Sequence, residues 1–182
     1  NIPVISFNVV GMEKMPGFKI TPDMLEKLLK VVVYGDLLQK MLTKNRVYEV
    51  NKGETQKLYD EWMQKCKELV VHSSLSEFKK SIYDMVNDFE KIELDTSMKK
   101  PKVGIVGEVL IKYHPFGNNF IAEKLEQEGA EVILPDFMGF VKFMATHKIT
   151  FNTLIKTDKY KAKIFKLAIK LIDILEKDER IA

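Results

Sequence analysis

Lys102-Val-Gly-Ile-Val-Gly-Glu-Val-Leu-Ile-Lys-Tyr-His-Pro-Phe-Gly-Asn-Asn119 is the stretch on which the fold turns. It opens as a short apolar run in which Val103, Ile105 and Val106 are β-branched, the composition of a buried strand. It then breaks into a loop that gathers Glu108, Lys112, Tyr113, His114, Asn118 and Asn119 before an amphipathic helix begins. In open α/β sheets ligands sit at the carboxyl ends of the strands. The densest cluster of polar side chains in the chain therefore falls where such a fold places a site.

Downstream, Ile121, Ala122 and Leu125 mark a helix from about 118 to 128, with Gly129 as its C-terminal glycine. Glu131 to Leu134 reads as a second strand, stopped by Pro135. Strand, helix and strand form an α/β unit whose crossover is expected to be right-handed. Asp136 is placed to cap a following helix through Phe137, Phe140, Val141, Phe143 and Met144. A last helix from about Lys159 carries Ile164, Leu167, Ala168, Leu171, Ile172 and Leu175. Its lysines (Lys159, Lys161, Lys163, Lys166, Lys170) read as a solvated face, since Asp173, Glu176, Asp178 and Glu179 follow.

Upstream, Ile2 to Val10 reads as a buried strand and Gly11 to Gly17 as a loop. Thr21-Pro22-Asp23 is a helix start, with Thr21 as cap and Pro22 at the first helical position. Leu25, Leu28, Leu29, Val32 and Val33 share one side, and the helix continues through Leu37, Leu38 and Met41, with Gly35-Asp36 as a candidate kink or break. After a connection from Asn45 to Gly53, Leu58, Trp62, Cys66 and Leu69 repeat at helical spacing, as do Phe78, Ile82, Met85, Val86 and Phe89. His72-Ser-Ser74 separates these two helices, with Ser74 or Ser76 as cap. The polar stretch Asp95 to Pro101 divides the chain into two parts. Residues 1–98 are a strand and a helical region belonging to a first lobe, and 99–182 an α/β lobe. The expected fold class is α/β: Rossmann-like parallel-sheet lobes with a helix-rich insertion, in a piece of a two-lobed protein. A start at Asn1 without methionine and an end on Asp178-Glu-Arg-Ile-Ala182 suggest a segment cut from a longer chain.

Composition narrows the function classes. The 182 residues include 29 basic and 26 acidic ones, so the net charge is only +3. That balance gives no drive toward nucleic acid or an anionic membrane. No apolar run is long enough to span a bilayer, and a single cysteine, Cys66, rules out an internal disulfide and suggests the cytoplasm. Cys66 shares a helix face with Trp62, which favours a core thiol over a nucleophile. His72 and His147 lack partners at metal-ligand spacing.

The motifs each have a bland reading beside the chemical one. Gly104-Ile-Val-Gly107 lacks the third glycine of a dinucleotide fingerprint, so Gly104 is expected to permit close strand–helix packing and Gly107 a special backbone angle. Glu108, Lys112 and His114 together hold the chemistry to bind an anionic ligand and move protons, or else cap helices and pair at the surface. Asn118 and Asn119 stand at a helix start, where asparagine is a good cap. The candidate ligand-binding residues are Glu108, Lys112, His114, Asn118 and Asn119. No catalytic residue is assigned.

Pro101 to Pro115, then Asn118-Asn119, then Glu126-Gln-Glu-Gly-Ala-Glu-Val-Ile-Leu-Pro-Asp136 resemble the 2-hydroxyglutaryl-CoA dehydratase D-component-like proteins, above all their activase-related branch. Tyr34-Gly-Asp-Leu-Leu38 and Arg46-Val-Tyr-Glu49 look like the same family. The resemblance implies a system in which an ATP-driven iron–sulfur activator passes an electron to a dehydratase carrying its own cluster. That dehydratase, a lyase, removes water from a 2-hydroxyacyl-CoA through a ketyl radical. Such clusters need several thiolates, and Cys66 is alone. The resemblance therefore implies an internal region, inactive by itself, with no cofactor of its own. The iron–sulfur cluster and ATP would belong to the rest of the parent, and its partners would be the remaining domains and an acyl-CoA. A docking module between activator and redox partner, or a lobe binding a nucleotide or CoA ester, are the alternatives.

Overall fold

The computed structural model describes residues 21–155 and, beyond them, 163, 166, 167, 169, 170, 172–174 and 177. The expected strand at 2–10 and the loop at 11–17 lie outside the described residues, as does most of the last helix. Among the described residues the fold is mixed α/β with helices dominant and one two-stranded parallel sheet.

Helix α1 (Pro22–Asn45) starts as its sequence dictates: Thr21 Oγ1 accepts the Met24 N–H at 3.2 Å and Pro22 opens the first turn. Gly35-Asp36 does not break it, and α1 runs without interruption for 24 residues. A helix-interior glycine costs only about 1 kcal/mol relative to alanine, which the packing of the rest of α1 outweighs. Helix α2 (Glu54–His72) follows Gly53, whose φ of 91° suits glycine. Gly53 has no capping side chain, and the Glu49 carboxylate takes that role, accepting the N–H groups of Gly53 at 2.7 Å and Thr55 at 2.8 Å. Helix α3 (Leu75–Glu90) opens on a reciprocal Ser74–Glu77 capping box, which settles the cap on Ser74.

These three helices enclose the main core of Tyr34, Leu37, Leu38, Trp62, Cys66, Phe78, Ile82, Met85 and Phe89. The polar tips of two core aromatics are paired: the hydroxyls of Tyr34 and Ser81 lie 2.6 Å apart, and Trp62 Nε1 donates to Asp88 at 3.2 Å. Burial pushes the Cys66 thiol up to about 12 and keeps it protonated.

Strand β1 (Lys102–Gly104) pairs in parallel with β2 (Glu131–Ile133) in the register Lys102↔Glu131, Val103↔Val132, Gly104↔Ile133. Between them lie the short α4 (Val109–Tyr113) and α5 (Ile121–Gln127). The expected helix from 118 thus begins three residues later, because Asn119 and Phe120 both take positive φ. It ends, as expected, at Gly129, whose φ is 88°. Helix α6 (Phe137–Ile155) extends a full eleven residues past Met144. Asp136 Oδ1 accepts the Gly139 N–H at its start, at 2.6 Å. In the last helix Ile172 is buried, whereas Leu167 faces outward.

Helix α1 and the turn after it tie the two parts of the chain together. Arg46 Nε donates to Glu126 at 2.7 Å, and Tyr48 Oη donates to Glu131 at 3.0 Å, where Lys102 also pairs with Glu131 at 3.1 Å. Glu49 gives a pH test of this region. Burial raises its pKa, but the N–H groups of Gly53 and Thr55 outweigh burial and hold it below the ordinary glutamate value. A depressed folded-state value means that its stabilisation is present above the unfolded pKa and fades as pH falls through the folded one. Glu49→Ala is expected to cost about 1–2 kcal/mol near neutrality. In urea unfolding at a series of pH values, that difference should shrink on the acid side.

Candidate functional site

The chain leaves β1 through Ile105, whose N–H still donates to Ile133 at 3.0 Å, and turns at Gly107 with a φ of 153°. Gly107 thus has the special backbone angle expected of it. Gly104 does not serve close packing: among the described residues no atom comes within 4 Å of where its β-carbon would be.

The five candidate side chains are arranged as follows. Glu108 caps α4, accepting the Ile111 N–H at 3.0 Å. His114 Nδ1 accepts the Gly117 N–H at 3.0 Å, and its ring meets Phe116 edge-on. Asn118 Nδ2 donates to the carbonyls of Ile111 and Lys112 at 3.1 and 3.0 Å, while its Oδ1 accepts the Ile121 N–H at 3.3 Å. Asn119 takes a φ of 59°, a left-handed angle that asparagine tolerates better than most residues. Lys112 lays its ammonium over the Tyr113 ring, 4.6 Å from the centroid. Local bonds thus account for much of this loop. Only Glu108 and His114 share a cavity, of about 380 Å³, with Val109, Leu110, Tyr113 and Phe137.

A second cavity, of about 250 Å³, lies between α1 and the carboxyl end of β2, lined among others by Gly35, Asp36, Lys40, Tyr113 and Asp136. Sequence reading singled out none of these as ligand-facing. Asp36 is 8% exposed, and its two oxygens accept the N–H groups of Phe137 at 2.7 Å and Met138 at 2.8 Å, capping α6 from another helix. Burial raises its pKa, and those two bonds lower it without cancelling the rise. Lys40 stands 3.7 Å from Asp136. Tyr113 forms a wall of both cavities. Its hydroxyl donates to the Pro135 carbonyl and its ring meets Phe137 edge-on at 5.9 Å. Burial, with Asp36 and Asp136 nearby, pushes the phenol up to about 12. The one available sequence signal was Asp36 itself, a carboxylate set between apolar residues of a helix (Val33, Leu37, Leu38).

Among the described residues no group of three or more His, Cys, Asp or Glu side chains is placed to hold a metal ion, and no helix is long and apolar enough to cross a membrane. No family model matches this chain, and no significant match is found among curated proteins or solved structures.

Proposed function

We propose that this chain is an internal region of a 2-hydroxyacyl-CoA dehydratase-like protein of the activase-related branch. In this reading, residues 99–182 are part of a Rossmann-like parallel-sheet lobe, and the helices before them belong to a first lobe. The region contributes the Glu108–Asn119 loop to a cleft and is inactive alone. Its partners are the remaining domains of the parent and an acyl-CoA. The resemblance of residues 101–136 to that family carries the proposal. The position of both cavities at the carboxyl ends of parallel strands supports it, since α/β sheets bind their ligands there. A cysteine-ligated cluster does not fit this chain, which has one thiol, buried and protonated. Any cluster and any ATP site belong to other parts of the parent.

A docking role is favoured by a different observation. Val106, Leu110 and Phe116 are 85%, 68% and 80% exposed around the strand end, more apolar surface than a solvated loop needs. Iron and sulfide analysis, a visible spectrum and a 2-hydroxyacyl-CoA dehydration assay on the full-length parent separate the readings. Cluster absorbance with ATP-dependent dehydration is the expected result. A cluster without dehydration, in a parent that still binds an ATP-driven activator, would favour docking. A parent free of iron and inert toward acyl-CoA would sink both.

A further inference from the structure

Strand β2 is the more buried of the two, and its far edge carries unmet backbone groups. The β1–β2 ladder uses odd-numbered residues: the Glu131 N–H donates to the Pro101 carbonyl at 2.8 Å, and the Ile133 carbonyl accepts the Ile105 N–H at 3.0 Å. The N–H and C=O of Val132, the C=O of Ala130 and the N–H of Leu134 therefore point away from β1. Among the described residues nothing bonds them. Yet Val132 is 2% exposed and Ala130 5%, so water does not serve those two residues either. Buried backbone groups are almost always paired. The opposite edge of the sheet, at Gly104 of β1, is exposed and has no such need.

Val132 is buried within a single copy of the chain, so its cover belongs to the same chain. Two segments lie outside the described residues, 1–20 and most of 156–182. The second is helical where it is described, and a helix spends its N–H and C=O groups on itself. The first contains Ile2–Val10, apolar at Ile2, Val4, Ile5, Phe7, Val9 and Val10, the composition of a parallel strand covered on both faces. Its Pro3 has no N–H to give and belongs on a border strand. The direction of α1 agrees. Asp36 bonds the start of α6, past the carboxyl end of β2, while Tyr48, after α1, bonds Glu131 at the amino end. Helix α1 thus runs antiparallel to the strands, as a helix does when it returns from the carboxyl end of one parallel strand to the amino end of another. It packs on β2, the strand such a return would pass over on its way to β1. Reach suffices: Gly11 to Ile20 can span about 33 Å, against about 21 Å along α1 from Pro22 to Asp36.

We propose that Ile2–Val10 pairs in parallel with the far edge of β2, making β2 the middle strand of the sheet and meeting the free groups of Ala130, Val132 and Leu134. With Pro3 turned outward, the N–H groups of Val4, Ser6 and Asn8 face β2. The loop that follows, Gly11–Gly17, then leaves at the carboxyl end of β2, where the cavity of about 250 Å³ lies. The inference goes beyond the dehydratase reading and does not need it, since no acyl-CoA, cluster or activator enters its test.

Nuclear magnetic resonance on the full chain tests it. Nuclear Overhauser contacts are expected between Val4–Asn8 and Ala130–Leu134, and the Val132 amide should exchange with solvent far more slowly than those of Lys102 and Gly104, which face the open side of β1. Ser6→Pro removes one N–H from the pairing and should speed exchange at Val132 and Leu134 by about tenfold or more. The fluorescence of Trp62, in the three-helix core, should not change. If that variant does not fold, the contacts in the unsubstituted chain decide alone. Contacts from Val4–Asn8 to Lys102 and Gly104 instead, contacts to neither strand, a Val132 amide as fast as that of Gly104, or protection that grows with protein concentration, as pairing with a second copy would give, would each overturn the proposal.

Discussion

Asp36→Ala is expected to lower the stability of the chain by about 3 kcal/mol near neutral pH, because it leaves the N–H groups of Phe137 and Met138 without partners in a part-buried helix start. Asp36→Asn should cost about half of that, keeping one acceptor oxygen while turning an amide NH2 toward the other N–H. Equilibrium urea unfolding measures both. Hydrogen exchange at Phe137 and Met138 should accelerate more than at the helix starts of α2 and α3, which have their own caps. The pH dependence has a definite sign. Burial holds the folded-state pKa of Asp36 above its ordinary value, with the two N–H bonds opposing. A raised carboxylate pKa means that the contribution of this group to stability is greatest when it is protonated and declines as pH rises through the folded value. Asp36→Asn should remove that decline. An alanine variant as stable as the parent chain would show that α6 does not depend on α1 for its start.

Phe78→Ala is expected to be costlier still, at about 3–5 kcal/mol, since it empties a site at 0% exposure in the middle of the three-helix core. The ring meets Tyr34 edge-on with centroids 5.0 Å apart, and such a pair adds about 0.5–1.5 kcal/mol beyond the buried area. The Lys30 ammonium lies 5.9 Å from the ring centroid while bonding the Ser73 carbonyl at 2.8 Å and Glu26 at 2.9 Å. Losing the ring thus also exposes a buried cation to a void. Phe78→Leu should cost less than about 1.5 kcal/mol, because most of the volume is kept. A denaturant midpoint shifted equally by both substitutions would contradict this account of the core.

What the sequence disclosed depended on the range of the forces involved. Thr21-Pro22, Gly129 and Asp136 are local signals, satisfied within three or four residues, and each appears where periodicity and cap chemistry put it, while of the two serines offered as the α3 cap the structure uses Ser74. The apolar faces of α1, α2 and α3 were equally readable, since 3.6-residue spacing survives without knowledge of the partner helix. The Gly35-Asp36 break failed for the opposite reason. An aspartate inside a helix reads as a breaker unless one knows that two N–H groups a hundred residues away need its oxygens. Tyr113, gathered with the polar loop, was left out of the candidate residues for a similar reason, because its partners Pro135 and Phe137 come from beyond the next strand. For Glu108, His114 and Asn118 the bland and chemical readings named the same residues, and local bonds now account for all three, with Glu108 and His114 also facing a cavity. Tyr34-Gly-Asp-Leu-Leu38 and Arg46-Val-Tyr-Glu49, quoted for their family likeness, turn out to hold the long-range polar joints of the fold. Tyr34 reaches Ser81, Asp36 reaches α6, Arg46 reaches Glu126 and Tyr48 reaches Glu131.

Those joints impose a timetable on synthesis. Chains grow at about 5–20 residues per second, so Asp36 leaves the ribosome roughly 5–20 s before the residues it caps. The Tyr34–Leu37 flank of α1 is covered sooner, once Phe78 and Ile82 have emerged. The nascent polypeptide can thus settle its three-helix half first, leaving a buried-to-be carboxylate wet and ionised in the interval. Its oxygens keep water as their partner until α6 arrives with the two N–H groups that replace it.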